Sequence, residues 1–146
     1  MMRPLVALII ALLLAVPAGY TEEPLALVIA ADSPVRQLAL ADVKLIYLCK
    51  SQIDNDGQRW LPLNLPANDE LRRGFALALF GELPEAQEDY WNVQYFNGIN
   101  PPKVMASEEA VLRFVSSTTG ALGYVRLHKA DRRVKVLQLL TPPTHP

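Results

Sequence analysis

The run LALVIA, residues 25 to 30, is the feature that most restricts how this chain can fold. It contains six consecutive apolar residues without polar alternation, which predicts a β-strand covered on both faces. Asp32, Ser33 and Pro34 follow and end the strand. The rest of the chain must therefore supply elements that pack on both sides of this strand.

Four helices are predicted after this strand, and further strands alternate with them. Leu71, Phe75 and Leu79 form an i, i+4, i+8 stripe, with Asn68 as the predicted N-cap of that helix. The predicted helices are ADVKLIYLCK (41–50), NDELRRGFALALFG (68–81), LPEAQEDYWNVQYF (83–96) and EEAVLRFVS (108–116), and the further strands lie at 60–65, 121–125 and 134–140. This alternation predicts an α/β domain with a mixed, partly parallel sheet flanked by about four helices.

The first 18 residues are predicted to be a cleaved signal peptide. Arg3 gives a charged start, Leu5 to Val16 give twelve apolar residues, and Val16-Pro17-Ala18 has the small-residue pattern that signal peptidase accepts. Twelve residues are too few to cross a bilayer, which requires about 20. We expect cleavage after Ala18 and a periplasmic protein; a retained membrane anchor is the alternative.

Residues 25–140 are predicted to form a single domain, because no repeat, low-complexity tract or linker interrupts them. Residues 141–146 are expected to be a flexible tail. Cys49 is the only cysteine, so no intramolecular disulfide can form, and we expect a small buried side chain within a helix.

Charge and motifs exclude several function classes. Without Arg3 the chain has 13 basic and 15 acidic residues and no basic stripe interleaved with aromatics, so nucleic acid is not an expected partner. An EF-hand aligned on Gly57 would place Gln52 first and Leu63 twelfth, where acidic ligands are required, so no metal is expected. The chain lacks G-x-S-x-G, H-E-x-x-H and Walker motifs, so neither catalysis nor a cofactor is expected.

The stretch LPLNLPANDELRRGF, residues 61 to 75, has the strand, loop and helix start of an anion site. A helix N-terminus offers free N–H groups and a partial positive charge, and an arginine one turn later could reach back to a bound anion. However, Asp69 and Glu70 place two carboxylates at this helix start, and Asp69 could pair with Arg73 at i, i+4. A helix capped by its own residues is therefore the main alternative.

A second set of polar side chains precedes Gly120. The hydroxyls of Ser116, Ser117, Thr118 and Thr119 could contact a ligand, although their usual role is to satisfy the last carbonyls of a helix. The full set of candidate anion ligands is Asn64, Asn68, Asp69, Arg72, Arg73, Thr118 and Thr119.

The order of several phrases resembles the periplasmic phosphate-binding proteins of ABC transporters, and in particular their short, single-domain relatives. These phrases, which lie between residues 25 and 125, are LALVIAADSP, ADVKLIYLCK, LPLN, LFG, YW, FNGINPPKV and TGALGYV. The resemblance implies the type 2 periplasmic-binding-protein fold and a solute receptor without chemistry of its own. A full receptor of this kind closes two α/β lobes on a tetrahedral anion, whereas this chain is long enough for one lobe.

The resemblance also shows where this chain departs from the family pattern. The family has an arginine after the strand and a Ser-Gly-Thr turn; here Asn64 stands near the arginine position and Pro66-Ala67-Asn68-Asp69 replaces the turn. We therefore expect an exported solute-binding-like protein that binds phosphate or another oxyanion weakly. The alternative is a single-lobe interaction or sensory accessory module that has lost anion binding and whose partner is a second copy, a second lobe or a membrane protein.

Overall fold

The computed structural model describes residues 23–143. Five strands and four α-helices follow one another in this part of the chain. The strands are β1 (Leu25–Ala30), β2 (Leu61–Asn64), β3 (Lys103–Val104), β4 (Ala121–Arg126) and β5 (Val134–Leu140). The helices are α1 (Leu40–Tyr47), α2 (Glu70–Phe80), α3 (Glu88–Phe96) and α4 (Glu108–Ser117), with 3₁₀ turns at Pro84–Gln87 and Leu127–Lys129.

The strands form one mixed sheet in the order β3-β2-β4-β1-β5. β2 runs parallel to both β3 and β4, whereas β1 pairs antiparallel with β4 and β5. All six residues of β1 are buried, as the apolar run predicted, because β1 has a paired strand on each side and lies between helix layers. The predicted α/β class with a mixed sheet and four helices is confirmed.

The helices cover the two faces of the sheet. On one face, Phe75 of α2 and Tyr47 of α1 pack against Tyr124 of β4, so the predicted apolar stripe of α2 faces the core. On the other face, α4 lies so close to β4 that a side chain at Gly123 would come within 2.5 Å of Val111. This arrangement places the carboxyl ends of β2, β3 and β4 at the same edge of the sheet.

Three sequence predictions differ locally from the structure. The third predicted helix is split into a 3₁₀ turn and α3, and α3 contains no buried residue. α1 ends at Tyr47, so Cys49 lies beyond the helix with a left-handed backbone (φ 57°) and is only half-buried. Within the predicted tail, residues 141–146, Pro142 is buried and packs over Gly74, where an added Cβ would lie 3.2 Å from its ring. Residues 144–146 lie outside the described residues.

The predicted signal peptide, residues 1–18, also lies outside the described residues. Between residues 23 and 143, no helix is long and apolar enough to cross a membrane.

Candidate functional site

The predicted anion site lies where β2 ends and α2 begins, and we call residues 64–72 the mouth. β2 ends at Asn64, whose carbonyl accepts a hydrogen bond from the N–H of Met105 (2.7 Å), just beyond β3. The chain then turns, with the N–H of Asp69 donating to the carbonyl of Pro66 (2.9 Å), and α2 starts at Glu70. The mouth therefore lies at the carboxyl edge of the parallel strands, where open α/β sheets commonly bind ligands.

Asp69, and not Asn68, is the N-cap of α2, so that part of the prediction was wrong. Asp69 has an extended backbone, and its carboxylate accepts a hydrogen bond from the N–H of Leu71 (2.8 Å). The Pro66 turn uses the intervening residues, which moves the cap one position along the chain and leaves Asn68 exposed. A carboxylate is an effective cap because it also compensates the positive end of the helix.

The hydroxyl of Tyr124 fixes the first two residues of the mouth. It donates to Oδ1 of Asn64 (2.9 Å) and accepts a hydrogen bond from the backbone N–H of Leu65 (3.1 Å). Because the side-chain oxygen of Asn64 is occupied by this bond, its amide NH₂ group is the part that remains to contact a ligand.

Tyr124 is held rigidly and remains neutral. Its ring stacks on Phe75, with centroids 3.8 Å apart and an interplanar angle of 9°. Burial raises the pKa of the Tyr124 phenol, while the backbone hydrogen bond from Leu65 and the charge of Arg72 act in the opposite direction. At neutral pH the phenol therefore keeps the proton that it donates to Asn64.

The two arginines of α2 have different partners. Arg72 reaches back over the first turn and donates from Nη1 to the carbonyl of Leu65 (2.9 Å), which holds its guanidinium at the mouth. Arg73 instead pairs with Glu85 and not with Asp69, so the expected i, i+4 pair is absent. Of the two, only Arg72 can contribute a cation to the mouth.

Thr118 and Thr119 lie at the amino ends of the parallel strands, opposite to the mouth. Thr118 is the C-cap of α4, both threonines precede β4, and Ala121 pairs with Leu61 at the start of β2. Since β2 and β4 are parallel, the two threonines are separated from Asn64 by the length of β2. The preceding residues, Ser116 and Ser117, satisfy a carbonyl in the last turn of α4. Both hydroxyls donate to the carbonyl of Arg113 (3.0 and 2.9 Å).

The mouth thus combines hydrogen-bond donors with two carboxylates. Its donors include the amide of Asn64 and the guanidinium of Arg72, while Asp69 and Glu70 bring negative charge to the same helix start. This composition suits weak contact with an anion and contains no nucleophile beside a general base. Within residues 23–143, no group of three or more His, Cys, Asp or Glu side chains could hold a metal ion.

Sequence reasoning did not identify Tyr124 as part of the mouth. Tyr124 lies within TGALGYV, but its position depends on the parallel pairing of β4 with β2, in which Leu61 faces Ala121 and Pro62 faces Leu122. The spacing of residues along one strand does not reveal which residue of another strand lies beside it.

The chain is similar to solved proteins in its structure. No protein-family model matches the chain, and no curated protein matches it in sequence. A phosphate ABC transporter substrate-binding protein from Clostridium perfringens, solved with bound phosphate, superposes with a TM-score of 0.63 and 17% identity. An ABC-type phosphate transport receptor from Vibrio cholerae gives 0.64 and 19%, and PstS from Borrelia burgdorferi gives 0.58 and 13%.

These superpositions cover most of this chain and less than half of each of the three proteins. The aligned regions include 80%, 80% and 85% of this chain but 44%, 46% and 49% of the respective solved chains. The identities are too low to transfer a ligand, but the agreement in fold is clear. The chain therefore has the fold of a single lobe of a phosphate ABC transporter substrate-binding protein.

Proposed function

We propose that this chain is an exported, periplasmic solute-binding-like protein whose mouth binds phosphate or another oxyanion weakly. The observation that carries the proposal is the position of Arg72, whose guanidinium is held at the carboxyl end of β2 by its hydrogen bond to Leu65. One Nη1 proton is used in this bond, and a guanidinium has five N–H donors in total, so several remain for an oxyanion.

Backbone groups of the first turn of α2 support the same assignment. The N–H of Leu71 is occupied by Asp69, whereas the N–H groups of Glu70 and Arg72 have no acceptor among the described residues. Free N–H groups at a helix start point toward the preceding loop and favour an anion there.

The carboxylates of Asp69 and Glu70 explain why binding would be weak. Each lies within the first turn of α2, where it offsets the positive end of the helix and repels an anion. The structural relatives are also more than twice as long as the aligned region, so a second surface that could enclose the anion is not supplied by residues 23–143. A second copy or another protein would complete the site.

Two variants and a titration test this proposal. Adding phosphate should shift the backbone N–H resonances of Leu65 and residues 67–72 in NMR spectra. Arg72→Gln should weaken phosphate binding at least about tenfold, because a charged hydrogen bond contributes about 1.5 to 3 kcal/mol. Arg36→Gln, at an exposed position outside the mouth, is the matched control. Replacing Asp69 with Ser and Glu70 with Gly should strengthen phosphate binding. If neither the unmodified protein nor this double variant responds to phosphate, sulfate or molybdate, the proposal is contradicted.

A second candidate function is supported by the surface of α3. Val93, Tyr95 and Phe96 are 58%, 68% and 88% exposed, and the helix has no buried residue. Neighbouring apolar side chains exposed to this extent are typical of contact surfaces with other proteins. In this alternative the chain is an interaction or sensory accessory module. Crosslinking in intact cells should then capture a partner, and Phe96→Ser should abolish the capture while phosphate binding at the mouth is unaffected.

A further inference from the structure

A groove of about 320 Å³ lies at the β2–β3 edge of the sheet, and none of the mouth residues 64–72 lines it. It is bounded by the end of α1, by Arg59 to Leu63 entering and forming β2, by the loop at residues 98–102, and by Phe114 of α4. Its volume is near the lower limit of the range of about 300 to 1,000 Å³ that is typical of small-molecule sites. The size therefore suits a small ligand.

The charges that line the groove have one sign. Arg59 and Lys103 both line it, and no Asp or Glu is among its lining residues. Neither cation forms an ion pair within 4 Å among residues 23–143. The ammonium group of Lys103 instead lies 5.1 Å from the ring centroid of Phe114. An anionic group would give both cations a partner.

The walls of the groove are mainly apolar. Trp60, Leu61, Ile99 and Phe114 are among the residues that line it. Such walls favour a ligand with an apolar body over an inorganic ion, because burying apolar surface contributes about 25 cal/mol per Å².

The groove is also preformed. Pro62, Pro101 and Pro102 restrict the backbone on two of its sides. The thiol of Cys49 lies 3.7 Å from the carbonyl oxygen of Asn100, within donating distance for sulfur, and this contact joins the end of α1 to the loop. Restricted walls reduce the entropy lost when a ligand binds.

We propose that this groove binds a small organic anion, with its apolar body against Trp60 and Phe114 and its anionic group held by Arg59 and Lys103. The site is separate from the mouth, and its ligand class differs from the oxyanion proposed there.

The test uses 8-anilinonaphthalene-1-sulfonate as the anionic probe and N-phenyl-1-naphthylamine, which lacks the sulfonate, as its neutral counterpart. Titrated into the purified protein, the sulfonate should shift the N–H resonances of the non-proline residues in the ranges 59–63 and 98–103. The double variant Arg59→Gln, Lys103→Gln should weaken the sulfonate at least about tenfold, which is about 1.4 kcal/mol, and leave the neutral probe unchanged. Both substituted side chains are exposed, so the fold should persist, and unchanged thermal unfolding checks this.

The matched control is Arg36→Gln, Lys129→Gln, which removes the same charge from two exposed positions outside the groove. This control should bind the sulfonate like the unmodified protein. Equal weakening by both double variants, equal weakening of both probes, or shifts confined to α3 would overturn the proposal. A sulfonate bound at the mouth would instead shift the N–H resonances of Leu65 and residues 67–72, and the Arg59→Gln, Lys103→Gln variant would not weaken it. The location of the shifts therefore separates this proposal from oxyanion binding at the mouth.

Discussion

The two ends of β2 differ in how their polar groups are satisfied. At its carboxyl end, Asn64, Leu65 and Tyr124 form a connected hydrogen-bond network, and the nearby cation Arg72 is bound to a backbone carbonyl. At its amino end, Arg59 lines a groove without an ionic partner among the described residues. The difference shows that at a strand-to-helix turn the polar groups that could contact a ligand can already be hydrogen-bonded to the protein itself.

A single added methyl group beside the amino end of β2 should destabilise the fold more than the loss of one hydroxyl at its carboxyl end. Gly120 has a φ of +83°, and a Cβ there would lie 2.1 Å from the carbonyl oxygen of Arg59. Gly120→Ala should therefore lower the free energy of unfolding by at least about 2 kcal/mol, because backbone strain and a clash with the main chain add together. Urea unfolding measures this loss.

Gly57→Ala is the matched control for this substitution. Gly57 has nearly the same φ of +81° but no atom within 4 Å of the added Cβ, so only the strain of about 1 to 2 kcal/mol should remain. Equal losses in the two variants would show that the contact with Arg59 does not restrict the amino end.

The carboxyl end depends on one hydroxyl. Tyr124→Phe keeps the stacked ring but leaves the buried N–H of Leu65 without an acceptor and frees the side-chain oxygen of Asn64. The loss in unfolding free energy should be about 1 to 3 kcal/mol, and amide hydrogen exchange at Leu65 should accelerate. Unchanged exchange at Leu65, with normal stability, would mean that this network does not hold the mouth.

The smallest expected effect is a difference in alkaline pH dependence between the two ends. Burial raises the pKa of the Cys49 thiol in the groove, and burial likewise raises the pKa of Tyr124 at the mouth. A raised pKa means that the folded state holds the proton more tightly than the unfolded chain. The stabilisation is therefore complete below the unfolded pKa, about 8.5 for Cys and about 10 for Tyr, and is lost as the pH rises.

Urea midpoints measured between pH 7 and pH 11 check this order. The unmodified protein should begin to lose stability above about pH 8.5, and Cys49→Ser should delay the loss until tyrosines titrate near pH 10. The charge of Arg59 opposes the shift at Cys49, so Arg59→Gln should raise the thiol pKa further. Identical profiles for the unmodified protein and Cys49→Ser would refute the contribution of the thiol.

Local patterns were sufficient for much of the fold. The LALVIA run predicted the buried strand β1, and the stripe of Leu71, Phe75 and Leu79 predicted the inner face of α2. At α4, Ser107 is the N-cap and accepts a hydrogen bond from the N–H of Ala110 (3.1 Å). These features depend on residues close together in the chain, where side-chain periodicity and capping chemistry act directly.

Other features required partners that are far apart in sequence. Tyr90 and Trp91 of α3 are only half-buried, and the hydroxyl of Tyr90 donates to the carbonyl of Leu48 (2.6 Å). Similarly, Arg73 pairs with Glu85 across a change in chain direction. Helical spacing alone does not specify which elements will cover a helix.

The sequence by itself determined the α/β class with a mixed sheet and about four helices, and it located the turn between β2 and α2. Only the tertiary structure decided what surrounds that turn. The parallel pairing of β2 with β4 brings Tyr124 beside Asn64 and places Thr118 at the other edge of the sheet. Strand register is set by contacts between distant segments, so neither the composition of the mouth nor the existence of the groove could be obtained from local residue patterns.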